Sequence, residues 1–246
     1  MRKISLSLVF SLVFLFLVNQ PAEASLVVID SSGQIIWKVL SAEEQRTPAI
    51  PKPSALEVKN VLNTKLAKNP KVSIFRNGDR IQLSVVSKDE EKTIDVTDFK
   101  AKLVEVEERP SIQNFTISLT EDNKFSIVQD GITVVTDFPI TINAQKGEIS
   151  VMTSSGYKFL AILPKEAVET LLRTKIISKI NDNEELTLSE GEYGELVYEV
   201  TGVKVVDFLK VLTFDVPVKG MVSVASGAIY SVEQPVWLKV FGFLFT

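Results

Sequence analysis

Residues 72–86 (Val72-Ser73-Ile74-Phe75-Arg76-Asn77-Gly78-Asp79-Arg80-Ile81-Gln82-Leu83-Ser84-Val85-Val86) decide the fold class of this chain. Apolar residues recur at every second position on both sides of Arg76-Asn77-Gly78-Asp79, the period of strands with one buried face. Asn-Gly supplies the positive φ angles that a primed two-residue turn demands. The stretch predicts an antiparallel hairpin.

The same pattern continues downstream. Strands are predicted over 103–106, 115–119, 124–128, 132–135, 140–144, 148–153 and 157–162, separated by breakers such as Asp130-Gly131 and Ser154-Ser155-Gly156. Residues 88–92 (KDEEK) read as a solvated turn. Further strands are predicted over 196–200, 203–208, 211–216, 221–224 and 229–232. Strands at spacings of roughly 8–12 residues predict antiparallel sheets, as a sandwich, meander or barrel. One helix interrupts them near residues 164–178. Pro164 suits a first turn, and Glu166 and Glu169 complement the helix dipole. Ala167, Val168, Leu171, Leu172, Ile176 and Ile177 share one face. The expected packing places Ala167, Val168, Leu171 and Leu172 against strands bearing Val197, Val205 and Leu212. The predicted class is therefore mainly β (α+β), with one amphipathic helix.

Upstream, Leu26–Ile29 and Gln34–Leu40 read as two strands joined through Asp30-Ser31-Ser32-Gly33. Residues 41–54 carry Pro48, Pro51 and Pro53 and read as an extended linker. Residues 55–68 hold apolar side chains only loosely at helical spacing. The first 24 residues have a secretory pattern: Arg2-Lys3, an apolar run from Ile4 to Val18, and Ala22-Glu23-Ala24 before Ser25. That run is shorter than the roughly 20 residues a transmembrane helix needs. Cleavage is expected after Ala24, giving a secreted or extracytoplasmic protein. No cysteine follows to accept a lipid. The expected organisation is a signal peptide (1–24), an N-terminal hairpin and linker (25–54), a β-rich domain (55–162), a helix with antiparallel strands (163–234) and an apolar tail (235–246).

Composition excludes several chemistries. The chain has no histidine and no cysteine, which removes Ser-His-Asp triads, Cys-His pairs, thiol redox chemistry and the usual zinc, copper and heme ligands. Twenty-seven basic against 31 acidic residues give a net charge of −4, which argues against a nucleic-acid partner. Ser155-Gly156-Tyr157-Lys158 matches S-x-x-K, but it lies in a hairpin turn where that dyad needs a helix start. The acids Asp182, Glu184, Glu185, Glu190, Glu192, Glu195 and Glu199 could serve glycoside hydrolysis or bind calcium. They lack an EF-hand spacing and carry few aromatics, so a solvated acidic loop over 181–195 is the expectation. Asn114-Phe115-Thr116 is a formal glycosylation sequon that also arises by chance. No catalytic, metal-binding or cofactor residues are assigned.

The segments ILPKEAVETLL (162–172), LVYEVTGVK (196–204) and VSVASGAIYSVEQP (222–235) resemble the ordering of PepSY-like modules, in which a helix precedes antiparallel strands. The chain also looks like uncharacterised exported bacterial proteins with a Trp/Phe-rich end. The resemblance covers 156–233 and implies an extracytoplasmic regulatory or inhibitory element. The acidic stretch at 181–195 departs from it.

The last twelve residues carry Trp237, Lys239, Phe241, Phe243 and Phe245. Two readings stand for this tail. It either completes the core, as filler or as a final strand, or stays exposed and engages a membrane interface or an envelope protein. The functional expectation is a non-catalytic extracytoplasmic binding or structural protein. The alternative is a carboxylate-dependent glycan hydrolase.

Overall fold

The computed structural model describes residues 25–38, 69–87, 90–110, 112–180, 185–191, 194–208 and 212–241. The expected signal peptide, the Pro-rich linker and the loose helical pattern at 55–68 lie outside the described residues.

The strands are β1 (Val27–Ile29), β2 (Ile35–Trp37), β3 (Lys71–Asn77), β4 (Arg80–Ser87), β5 (Glu90–Asp95), β6 (Val104–Val106), β7 (Phe115–Leu119) and β8 (Phe125–Gln129). They continue as β9 (Ile132–Thr136), β10 (Ile140–Asn143), β11 (Glu148–Thr153), β12 (Gly156–Phe159), β13 (Leu186–Glu190), β14 (Leu196–Phe208), β15 (Leu212–Ser223) and β16 (Ile229–Glu233). Helix α1 (Pro164–Arg173) precedes β13, and α2 (Val236–Phe241) follows β16. A ten-stranded sheet runs β16-β15-β14-β13-β9-β8-β7-β6-β1-β2, and a six-stranded sheet runs β12-β11-β10-β3-β4-β5. The chain is thus mainly β and sandwich-like, as the alternating pattern predicts. Two pairings are parallel, β1 with β6 and β9 with β13; residues 30–103 and 137–185 separate those partners, connections long enough for a parallel crossover.

One apolar core joins the two sheets and α1, with buried members from Leu26 to Val224. Cross-strand register builds it in rows: Val27, Val104, Ile117, Ile127 and Val134 stand side by side on the large sheet. Val72, Ile74, Ile81, Leu83, Ile140, Ile142, Ile149 and Val151 face them from the small sheet. Core strands are drawn from both sides of the expected boundary at 162, and the N-terminal hairpin β1–β2 belongs to the large sheet. At one edge, the Lys92 ammonium sits 4.9 Å above the Trp37 ring and links β5 to β2.

The turns follow backbone chemistry. Asn77 and Arg80 form the last pair of the β3–β4 hairpin, so the loop is Gly78-Asp79 and only Gly78 needs positive φ. Between β8 and β9, both Asp130 and Gly131 have positive φ, as a type I′ turn requires.

Five expectations are corrected. The KDEEK stretch is not simply a turn, because Glu90–Asp95 forms edge strand β5. Its charges are the kind that keep an exposed edge from pairing with other chains. The acidic stretch 181–195 contains β13, which places Leu186 and Leu188 in the core. The helix ends at Arg173, not 178. Lys175 takes φ +58° there, and the Lys175 and Ile176 amides donate to the Leu172 and Leu171 carbonyls. That is a Schellman cap with lysine where glycine is usual, so no stop signal is written in the sequence. Leu172, Val205 and Leu212 lie at the surface, while Ala167, Val168 and Leu171 are buried.

The last correction concerns strand length. Breaks expected at Gly202 and Gly220 do not occur, and β14 and β15 run through them. A Cβ at Gly220 would lie 2.7 Å from a Leu171 methyl, and one at Gly202 would lie 2.9 Å from Ile177. Both glycines are places where the helix and the segment after it press on the sheet. Pro217 is tolerated in β15 because β16 pairs only as far as Lys219.

Candidate interaction surface

The long hairpin β14–β15 outruns its neighbours. Strand β13 pairs with β14 only as far as Glu199, and β16 with β15 only as far as Lys219. Beyond those points the hairpin continues to Phe208↔Leu212. The arm is braced at its base by a bridge between Lys179 and Val203 and by a 2.8 Å ion pair between Lys179 and Asp215.

Along the arm, the face that belongs to the core nearer the sheet carries Val206, Val216, Phe214 and Leu212. The main core stops at Val200 and Val218. Val206 and Val216 instead form a separate cluster with Leu238 of α2. Among the described residues, the C-terminal segment forms the short helix α2, whose Leu238 packs on the arm. Several apolar side chains remain outside: relative exposures are 54% for Leu212, 45% for Phe214, 74% for Val236 and 40% for Trp237.

Of the residues singled out in the sequence, Trp237 and Lys239 lie exposed on α2, Phe241 is its last residue, and Phe243 and Phe245 lie outside the described residues. Leu212 and Phe214 were missed as part of this surface. Their alternation is in phase with the core residues Val218 and Val222, so periodicity alone reads them as buried. The missing signal is the point where the covering layer ends, a property of the fold.

The other candidate groups serve as cross-braces. The Glu190 carboxylate accepts from Ser155 Oγ at 2.8 Å, Ser154 Oγ at 3.0 Å and Lys158 Nζ at 3.3 Å. Lys158 also donates to the Gly194 carbonyl. Those hydroxyl and ammonium donors hold Glu190 below the usual carboxylate range. The S-x-x-K residues thus meet on an acid that ties the β11–β12 turn to the end of β13. Glu199 is held low by Lys219 and Ser189. Glu190 has the parity of the core residues Leu186 and Leu188, whereas Glu199 alternates with Tyr198 and Val200, which face the core. The two acids therefore project from opposite faces of one sheet. Among the described residues, no group of three acids is placed to hold a metal ion. Asn181–Glu184 lie outside them. Asn114 is exposed just before β7.

Comparison with known proteins finds no matching family model, no matching curated protein and no matching solved structure.

Proposed function

We propose that this chain is a non-catalytic, extracytoplasmic binding protein of the cell envelope, and that the end of the β14–β15 arm with α2 docks on a membrane interface. The observation carrying this is the exposure of Leu212 and Phe214 on a braced hairpin and of Val236 and Trp237 on α2, the helix whose Leu238 packs against that hairpin. Exposed apolar patches of this kind usually mark interaction sites. A tryptophan beside an exposed lysine suits the headgroup boundary, where ring and amine are both satisfied. With acids in excess overall, attachment rests on apolar insertion more than on attraction to anionic lipid. A single such segment gives weak, reversible binding. The PepSY-like resemblance of 156–233 agrees with an extracytoplasmic element and covers the arm itself.

Among the described residues, the placement of Glu190 and Glu199 favours this reading over glycan hydrolysis. A retaining or inverting pair must flank one bond, with carboxyls roughly 5–9.5 Å apart and one of them raised in pKa. Glu190 and Glu199 lie on opposite faces and both are lowered.

The test is co-sedimentation with phosphatidylcholine vesicles containing some phosphatidylglycerol. The wild type should pellet with lipid, Leu212→Ser/Phe214→Ser and a truncation at Gln234 should not, and added salt should change little. Unchanged pelleting by the double variant would overturn the reading. So would a wild type that ignores vesicles but retains a specific envelope protein.

A further inference from the structure

A second surface lies on the outer face of the small sheet. Register places Phe159, Ser150, Thr141, Ser73, Ser84 and Thr93 in one row across all six strands. Five hydroxyl residues thus follow one another at the interstrand spacing of about 4.8 Å; Ser73 and Thr141 touch at 3.2 Å through their oxygens, Thr141 is nearly covered, and Ser84 is buried with its hydroxyl donating to Glu91. The adjacent row brings Lys71, Asn143 and Glu148 together. Between the rows an open groove of about 230 Å³ is lined by Lys71, Thr141, Asn143, Glu148, Ser150 and Tyr157.

Two exposed rings share one face of β12: Tyr157, which lines the groove, at 61%, and Phe159, which does not, at 48%. The Lys71 ammonium lies 5.2 Å over the Tyr157 ring, which orients it while most of the residue stays in water. Both rings belong to β12, an edge strand. Exposed aromatics on an edge invite aggregation, and β5 at the opposite edge avoids that hazard with charge.

A sugar ring offers an apolar C–H face and a rim of hydroxyls. The first stacks on an aromatic ring. The second needs partners that donate and accept, as serine and threonine hydroxyls do. Lys71 and Glu148 give the groove one charge of each sign, and Glu148 is further neutralised by Lys146 at 3.7 Å. That balance suits an uncharged ligand and does not suit a phosphate backbone.

We propose that this groove binds an uncharged polysaccharide, with one sugar stacked on Tyr157 and its hydroxyls meeting Ser150, Asn143 and Glu148. The site is independent of the membrane-docking arm. The test titrates the full mature chain with a soluble cello-oligosaccharide and a soluble chito-oligosaccharide, by calorimetry and by amide chemical shifts. Saturable binding to at least one is expected, with shifts on β3, β10, β11 and β12. Tyr157→Ala should weaken it about tenfold or more, Tyr157→Phe should keep the stacking, and Phe214→Ala should leave it intact. No saturation by either sugar at millimolar concentration overturns the proposal. Equal binding by Tyr157→Ala does so too, as would shifts confined to other strands, a result that needs no variant to fold.

Discussion

Leu171 and Gly220 test the packing of α1 as a pair. Leu171 is completely buried, and its two methyls would lie 2.7 and 2.8 Å from a Cβ added at Gly220. Leu171→Ala removes the branched end from a closed site, at a cost of about 2–5 kcal/mol. In a protein of this size that lowers the melting temperature by roughly 5–15 °C. Gly220→Ala alone forces a methyl into the leucine, and overpacking of this kind costs about 1–3 kcal/mol. Combined, the two should be less harmful than their sum, because the alanine at 220 enters the space that Leu171 vacates. A double-mutant cycle by chemical denaturation should give a favourable coupling of about 1–3 kcal/mol. Additive effects within about 0.5 kcal/mol would show that the helix does not press on Gly220, and the account of both strand glycines would fail.

Other consequences follow from single contacts. Tyr198, buried with its hydroxyl donating to the Ile162 carbonyl at 2.9 Å, should lose about 1 kcal/mol as Tyr198→Phe in denaturant melts. Lys175→Gly should raise stability by about 1 kcal/mol by relieving the left-handed backbone at the end of α1, readable as a higher melting temperature. Glu190 and Glu199 have lowered native values, so their contribution is complete above the ordinary glutamate value of 4.5. It is lost as pH falls through the native values. Melting temperature should hold from neutrality down to that point and decline below it, less steeply in Glu190→Gln.

Much of this fold is legible in the sequence. The hairpin at 72–86, the strands 115–119 and 148–153 and the start of α1 at Pro164 appear where period and breakers place them, because each depends on local chemistry. What is not legible depends on neighbours. Gly202 and Gly220 look like breaks but are contact points for Ile177 and Leu171. Lys175 caps a helix in a conformation that its side chain disfavours. KDEEK becomes a strand because β4 offers it a free edge. The candidate surfaces divide the same way. Trp237 and Lys239 stand out by composition. Leu212 and Phe214 do not, since their alternation matches that of buried residues, and the hydroxyl row exists only once six strands are in register.

The most direct test of the membrane-docking reading uses the chain's own reporter. The protein has two tryptophans, and Trp37→Phe leaves Trp237 as the single fluorophore. On adding phosphatidylcholine vesicles with some phosphatidylglycerol, its emission should move to shorter wavelength and become shielded from acrylamide, and both changes should vanish in Leu212→Ser/Phe214→Ser. An emission spectrum and quenching indifferent to lipid would contradict the account.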